Sequence, residues 1–153
     1  MQNAEEAVKT FANNHSILRI GGIYGLDGPS HLGLNKAINN AIYKKEAPVL
    51  YGNGKAKRNY ICVKDVARWI LNLLQKRINS GEKINDTLYL SGTEVMTIKD
   101  YLQAIIDVLL PEKELIVAEG NESHDWVIKI STPPFDLITF KKYLVNCKDI
   151  TNL

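Results

Sequence analysis

Tyr51-Gly52-Asn53-Gly54-Lys55-Ala56-Lys57-Arg58-Asn59-Tyr60-Ile61-Cys62-Val63-Lys64-Asp65-Val66-Ala67 passes from strand to turn to strand to helix without a linker. Pro48-Val49-Leu50-Tyr51 reads as a short strand, Gly52-Asn53-Gly54 as a tight turn, and Asn59-Tyr60-Ile61-Cys62-Val63 as a second strand. Two strands so separated predict a hairpin with a wide loop. From Asp65 the period changes. Val66, Trp69, Ile70, Leu73 and Leu74 fall on one helical face, and Asn79-Ser80-Gly81 ends it.

The same alternation continues in both directions. Ala4, Ala7, Val8, Phe11 and Ala12 recur at helical spacing and feed the β-rich run Ser16-Ile17-Leu18-Arg19-Ile20. Gly21, Gly22, Gly25, Gly28 and Pro29 mark a long turn, with Asp27-Gly28-Pro29-Ser30 read as a β-turn, and a second helix is predicted from about His31 to Lys45. Thr87-Leu88-Tyr89-Leu90 is a strand. Thr97 and Asp100 form a capping-box pattern before the apolar face of Ile98, Tyr101, Leu102, Ile105, Ile106 and Leu109, which stops at Pro111. Leu115–Ala118 and Trp126–Ile130 are further strand candidates, Pro133-Pro134 breaks the pattern, and the last twenty residues are ambiguous between helix and other structure. Strands alternating with helices predict an α/β fold with parallel pairing, since parallel neighbours need crossover connections.

Composition narrows the function classes. The chain has 153 residues, 45% of them hydrophobic and 24% charged, which suits one globular domain. A net charge of +2 is too small to imply nucleic acid or an anionic membrane. Cys62 and Cys147 make neither a disulfide framework nor a metal set, so no metal site is expected and a reducing, cytoplasmic setting is. The start Met1-Gln2-Asn3-Ala4-Glu5-Glu6 lacks the pattern of a signal peptide, and no apolar run is long enough to span a membrane.

Three motifs carry chemistry on paper. Gly22-Ile23-Tyr24-Gly25-Leu26-Asp27-Gly28 matches G-x-x-G-x-x-G after a strand, but its helix starts too late to aim N–H groups at a pyrophosphate. The acidic residue that would hold a ribose is also missing, with Tyr51-Gly52 in its place. Y-x-x-x-K occurs at Tyr51/Lys55 and Tyr60/Lys64, neither on a helix, so neither puts phenol and ammonium on one helical face. Arg58, in Lys55-Ala56-Lys57-Arg58, reads first as part of a solvated basic loop, with an anion site as the alternative. His15, His31 and His124 are isolated. No catalytic residue follows from spacing.

Longer stretches resemble the second half of the extended short-chain dehydrogenase/reductase superfamily, the nucleotide-sugar epimerases, dehydratases and reductases. Leu18-Arg19-Ile20-Gly21-Gly22-Ile23-Tyr24-Gly25-Leu26-Asp27-Gly28-Pro29 is similar to the family's L-R-x-x-x-V-Y-G-P segment, and Tyr51 to Ala67 resembles its Y-G-D-G-x-x-x-R-D-F-x-Y-V-x-D-V-A. Leu88-Tyr89-Leu90-Ser91-Gly92 and Met96-Thr97-Ile98 look like a later strand and helix start, extending the resemblance over residues 4 to 110. Ile20, Gly22 and Asn53 depart from the family's usual Pro, Asn and Asp.

The resemblance implies the C-terminal part of an extended Rossmann-type reductase fold: edge strands of the parallel sheet plus a small substrate-binding subdomain, residues 1–153 as one domain. It places the Gly22–Ile23 backbone near a nicotinamide, Arg58 on the substrate diphosphate, and Val49 and Tyr51 beside its base. Ala4-Glu5 resembles the A-E that follows Y-x-x-x-K, which puts Met1 at the lysine position and the glycine fingerprint and catalytic dyad upstream. The implied cofactor is NAD or NADP in the complete enzyme, with none bound by this chain alone, which by itself would be inactive. The implied partners are a UDP- or dTDP-linked nucleotide sugar, and either a second copy or a complementing N-terminal half. The alternative is a cofactor-free binding or interaction module, or a truncated remnant, derived from the family.

Overall fold

The computed structural model describes residues 2–81 and 83–151; Met1, where the resemblance puts the lysine, lies outside them. Helix α1 (Gln2–Phe11) leads into β1 (His15–Ile20), and Glu5 on the helix binds Arg19 on the strand through Nε at 3.0 Å and Nη2 at 2.6 Å. The guanidinium holds the Glu5 carboxyl below its usual range. After β2 (Ile23–Tyr24), α2 (Gly33–Asn39) widens into a π-turn over Asn40–Lys44 and stops at Lys45, whose φ of 56° is left-handed. Then come β3 (Val49–Tyr51), β4 (Lys57–Arg58), β5 (Ile61–Cys62) and the long helix α3 (Val63–Ser80), closed by Gly81 at φ 65°. The order finishes with β6 (Asn85–Leu90), β7 (Met96–Thr97), α4 (Ile98–Leu109), β8 (Ile116–Ala118) and α5 (Phe140–Thr151).

Among the described residues the strands form four two-stranded ladders. β1 pairs β6 in parallel from His15↔Asn85 to Ile20↔Leu90, β2 pairs β5, β3 pairs β8, both parallel, and β4 pairs β7 antiparallel. The predicted hairpin is therefore wrong. β3 turns to β8 and β5 to β2, because Leu50 and Cys62 must both reach the core laid down by α2, α4 and α5. The strand predicted over 126–130 is also absent: Trp126 alone makes an isolated bridge, to Arg58, and the rest is held by side chains. The capping box is formed in both directions, Asp100 N–H to Thr97 Oγ1 at 3.1 Å and Thr97 N–H to Asp100 Oδ2 at 3.2 Å.

Two apolar clusters result. The larger joins Ile38, Ile105, Leu110 and Leu144, all at most 1% exposed, with a run of edge-to-face aromatic rings. Tyr143, Tyr24, Phe140, Tyr101 and Tyr60 follow one another at centroid distances of 5.1, 5.0, 4.9 and 5.1 Å. The smaller cluster packs Val66 and Trp69 of α3 on Ile61 and Leu90. Asp65, fully buried, ties the start of α3 to the chain ahead of α5. Its Oδ1 accepts from Arg68 at 2.9 Å and its Oδ2 from the Ile138 N–H at 2.7 Å.

Candidate functional site

The turn from Gly25 to Gly28 is held from α2. The Gly25 N–H donates to Asn35 Oδ1 at 3.0 Å and the Asp27 N–H to Asn39 Oδ1 at 3.1 Å, one helical turn further on. The Leu26 N–H donates to the Tyr143 hydroxyl and the Gly28 N–H to the Gly25 carbonyl. Every N–H of this turn is thus already bonded inside the protein. The hydrogen-bonded β-turn is Gly25–Gly28, two residues before the predicted one, with Asp27 left-handed at φ 59°. A phosphate-binding turn needs those donors pointing outward, so the G-x-x-G-x-x-G match is a structural corner.

Beyond that corner lie two clefts. The smaller, about 340 Å³, is lined by Gly21, Gly22, Arg58, Asn59, Tyr60 and Trp126, among others. The larger, about 680 Å³, has an apolar floor including Leu34, Ala37 and Leu102, with Val49 and Tyr51 along one side and His31, Lys36 and Glu46 at its polar rim. The structure therefore brings Gly22 and Arg58 together, and puts Val49 and Tyr51 in the neighbouring cleft. Ile23 lines neither; it pairs with Ile61 and packs on the smaller core cluster.

Arg58 is fixed by main chain. Its Nη1 donates to the carbonyls of Lys57 at 2.8 Å and His124 at 2.6 Å, while Nε and Nη2 have no partner among the described residues. No carboxylate lies within ion-pair distance of it among those residues either. The opposite wall is strapped on by its neighbours. Lys57 N–H donates to Asp125 Oδ1 at 2.8 Å, and the buried Asn59 carboxamide donates to the Ile128 carbonyl at 2.8 Å and accepts its N–H at 2.9 Å. Sequence reading gave Asn59, Trp126 and Ile128 no place in the site, because residues 126 and 128 meet residues 57–59 only through bonds between segments far apart in the chain.

Burial pushes the thiols of Cys62 and Cys147 up, away from thiolate character, and they are not joined as a disulfide. Among the described residues no cluster of metal-ligating groups occurs, and no helix is long and apolar enough to cross a membrane.

A family model for the NAD dependent epimerase/dehydratase family matches residues 2–85. The chain belongs to this family. No curated protein matches the sequence. Among solved structures of the family's fold, UDP-N-acetylglucosamine 4-epimerase from Bacillus cereus aligns with a TM-score of 0.77 at 16% identity, over 99% of this chain and 52% of that one. UDP-glucose 4-epimerase from Thermotoga maritima, solved with UDP-glucose, gives 0.74 at 14% over 99% and 51%. dTDP-glucose 4,6-dehydratase from Bacillus anthracis, solved with NAD, gives 0.70 at 18% over 97% and 48%. The chain spans about half the length of these relatives, and shares with them the Rossmann-like epimerase/dehydratase fold.

Proposed function

We propose that this chain is the substrate-binding half of an NAD(P)-dependent nucleotide-sugar epimerase, dehydratase or reductase, with residues 1–153 acting as one domain. The observation that carries the reading is Arg58. A guanidinium held through one nitrogen by two carbonyls, with its remaining N–H groups unbonded at a cleft, suits the paired oxygens of a phosphate. Val49 and Tyr51 would border the base, for which an apolar floor with a polar rim is a fitting receptacle. The family, and relatives solved with UDP-glucose and with NAD, support the ligand classes.

NAD(P) supplies hydride transfer when bound to the complete enzyme. The Gly25–Gly28 turn does not fit its pyrophosphate, since those donors are spent internally. In this reading the chain contributes the Gly22–Ile23 backbone beside the nicotinamide and holds no cofactor alone. Its protein partner is a complementing half or a second copy, in the cytoplasm. The β1–β6 ladder favours this: it is parallel and two-stranded, whereas parallel sheets are built with both faces covered, and Phe11, Leu71, Leu74 and Ile78 are exposed on the flanking helices.

Calorimetric titration of the purified protein with UDP tests the reading. Arg58→Ala is expected to weaken binding about tenfold to a hundredfold, the worth of a charge-assisted hydrogen bond. Lys55→Ala, an exposed ammonium on the glycine turn, should weaken it by about threefold at most. NAD and NADP should give no isotherm in the micromolar range. Equal losses from the two substitutions would indicate a diffuse basic loop, and no loss from Arg58→Ala would remove the site.

A further inference from the structure

Tyr60 alone, among the described residues, lines both clefts. Its place is built from three directions. A Cβ on Gly92 would collide with the Tyr60 carbonyl oxygen, and a Cβ on Gly22 would collide with the ring carbons Cδ1 and Cε1. The third side is Tyr101, 1% exposed, which meets the ring edge-to-face at 5.1 Å and accepts the Tyr60 N–H at 3.3 Å. The two glycines differ in kind. At Gly92 the obstacle is backbone and cannot yield, whereas at Gly22 it is a side chain, so any residue larger than glycine there must swing the ring aside.

We propose that Tyr60 is a positioning residue for the nucleotide-sugar site, the shared wall around which a ligand reaching from the larger cleft to Arg58 must bend. The bare Gly22 is what leaves the ring in that position. The inference rests on the nucleotide-sugar reading above and deepens it. A ligand filling one cleft touches one side of the ring. A ligand spanning both has its ribose-diphosphate segment against the ring, and is sensitive to where the ring stands. Gly22 and Tyr60 therefore act as a pair, and their coupling concerns spanning ligands more than compact ones.

The test compares uridine, which fits the larger cleft, with UDP-glucose, which spans the two, on wild type, Gly22→Ala, Tyr60→Ala and the double variant. Tyr60→Ala and Gly22→Ala should each weaken UDP-glucose about tenfold and uridine less than about threefold. In the Tyr60→Ala background Gly22→Ala should add less than about twofold, since no ring remains to be displaced. Melting curves establish that each variant is folded, and Tyr60→Ala alone carries the test if Gly22→Ala is not. Equal losses for the two ligands, or the same Gly22→Ala effect with and without the ring, would overturn the role of Tyr60 while leaving the site intact. Absence of uridine and UDP-glucose binding by wild type would instead sink the nucleotide-sugar reading, and this inference with it.

Discussion

Raising the pH above 10 is expected to unfold the protein steeply. Tyr24, Tyr101 and Tyr143 are at most 3% exposed, and burial disfavours their phenolates, pushing Tyr101 up to about 12 and the other two well above the usual phenol range of 10. In the unfolded chain the same phenols ionise near 10. The folded state therefore keeps protons that the unfolded state releases, so the stabilisation is complete below pH 10 and falls as pH rises from there to about 12 for Tyr101 and beyond for its neighbours. Each buried phenol contributes a slope of about 1.4 kcal/mol per pH unit. Urea unfolding followed by circular dichroism at a series of alkaline pH values measures the fall. A flat stability through this window would show that the rings are not sealed as described.

Phe140→Ala is expected to cost about 3–5 kcal/mol, the range for emptying a buried aromatic site. Phe140 is 1% exposed and sits between Tyr24 and Tyr101, so its loss opens a cavity in the middle of the run of rings that joins α4, α5 and β2. The melting temperature should drop by roughly 6–20 °C for a domain of this size. Phe140→Leu keeps much of the volume and forfeits the two edge-to-face contacts, each worth about 0.5–1.5 kcal/mol, so it should fall between. Thermal melts of the three proteins decide it. A cost below about 1 kcal/mol for Phe140→Ala would mean that the rings are not cooperative packing partners.

Helices were readable wherever one face repeated without interruption. Val66, Trp69 and Leu73 announced α3, and Thr97 with Asp100 announced the start of α4. Phe140, Tyr143, Leu144 and Cys147 have the same i, i+3, i+4, i+7 spacing and are all buried, yet the sequence reading leaves α5 ambiguous. Its signal was masked by Pro133-Pro134 upstream and by the lysines between its apolar positions. Strand partners were not readable, because β2–β5 and β3–β8 involve only two and three residues each, and nothing local fixes which short strand answers which. For the site, the resemblance united Arg58, Val49 and Tyr51, while the structure divides them between two clefts around Tyr60, a separation that depends on where a ring points.

The β1–β6 ladder also has a kinetic side. His15 and Asn85 meet across 70 residues of chain, and closing a loop of that length costs about 4 kcal/mol of entropy before any pairing compensates. Among the described residues, the smaller cluster beneath it has Ile61, Val66, Trp69 and Leu90 buried, with others such as Leu18 and Leu88 partly so, against the larger body built on α2, α4 and α5. This sheet, resting on the smaller cluster, is accordingly expected to open before the larger body does. Amide hydrogen exchange should report it, with β1 and β6 exchanging through a lower-energy opening than α4; equal protection of the three would mean that the molecule opens as a single unit.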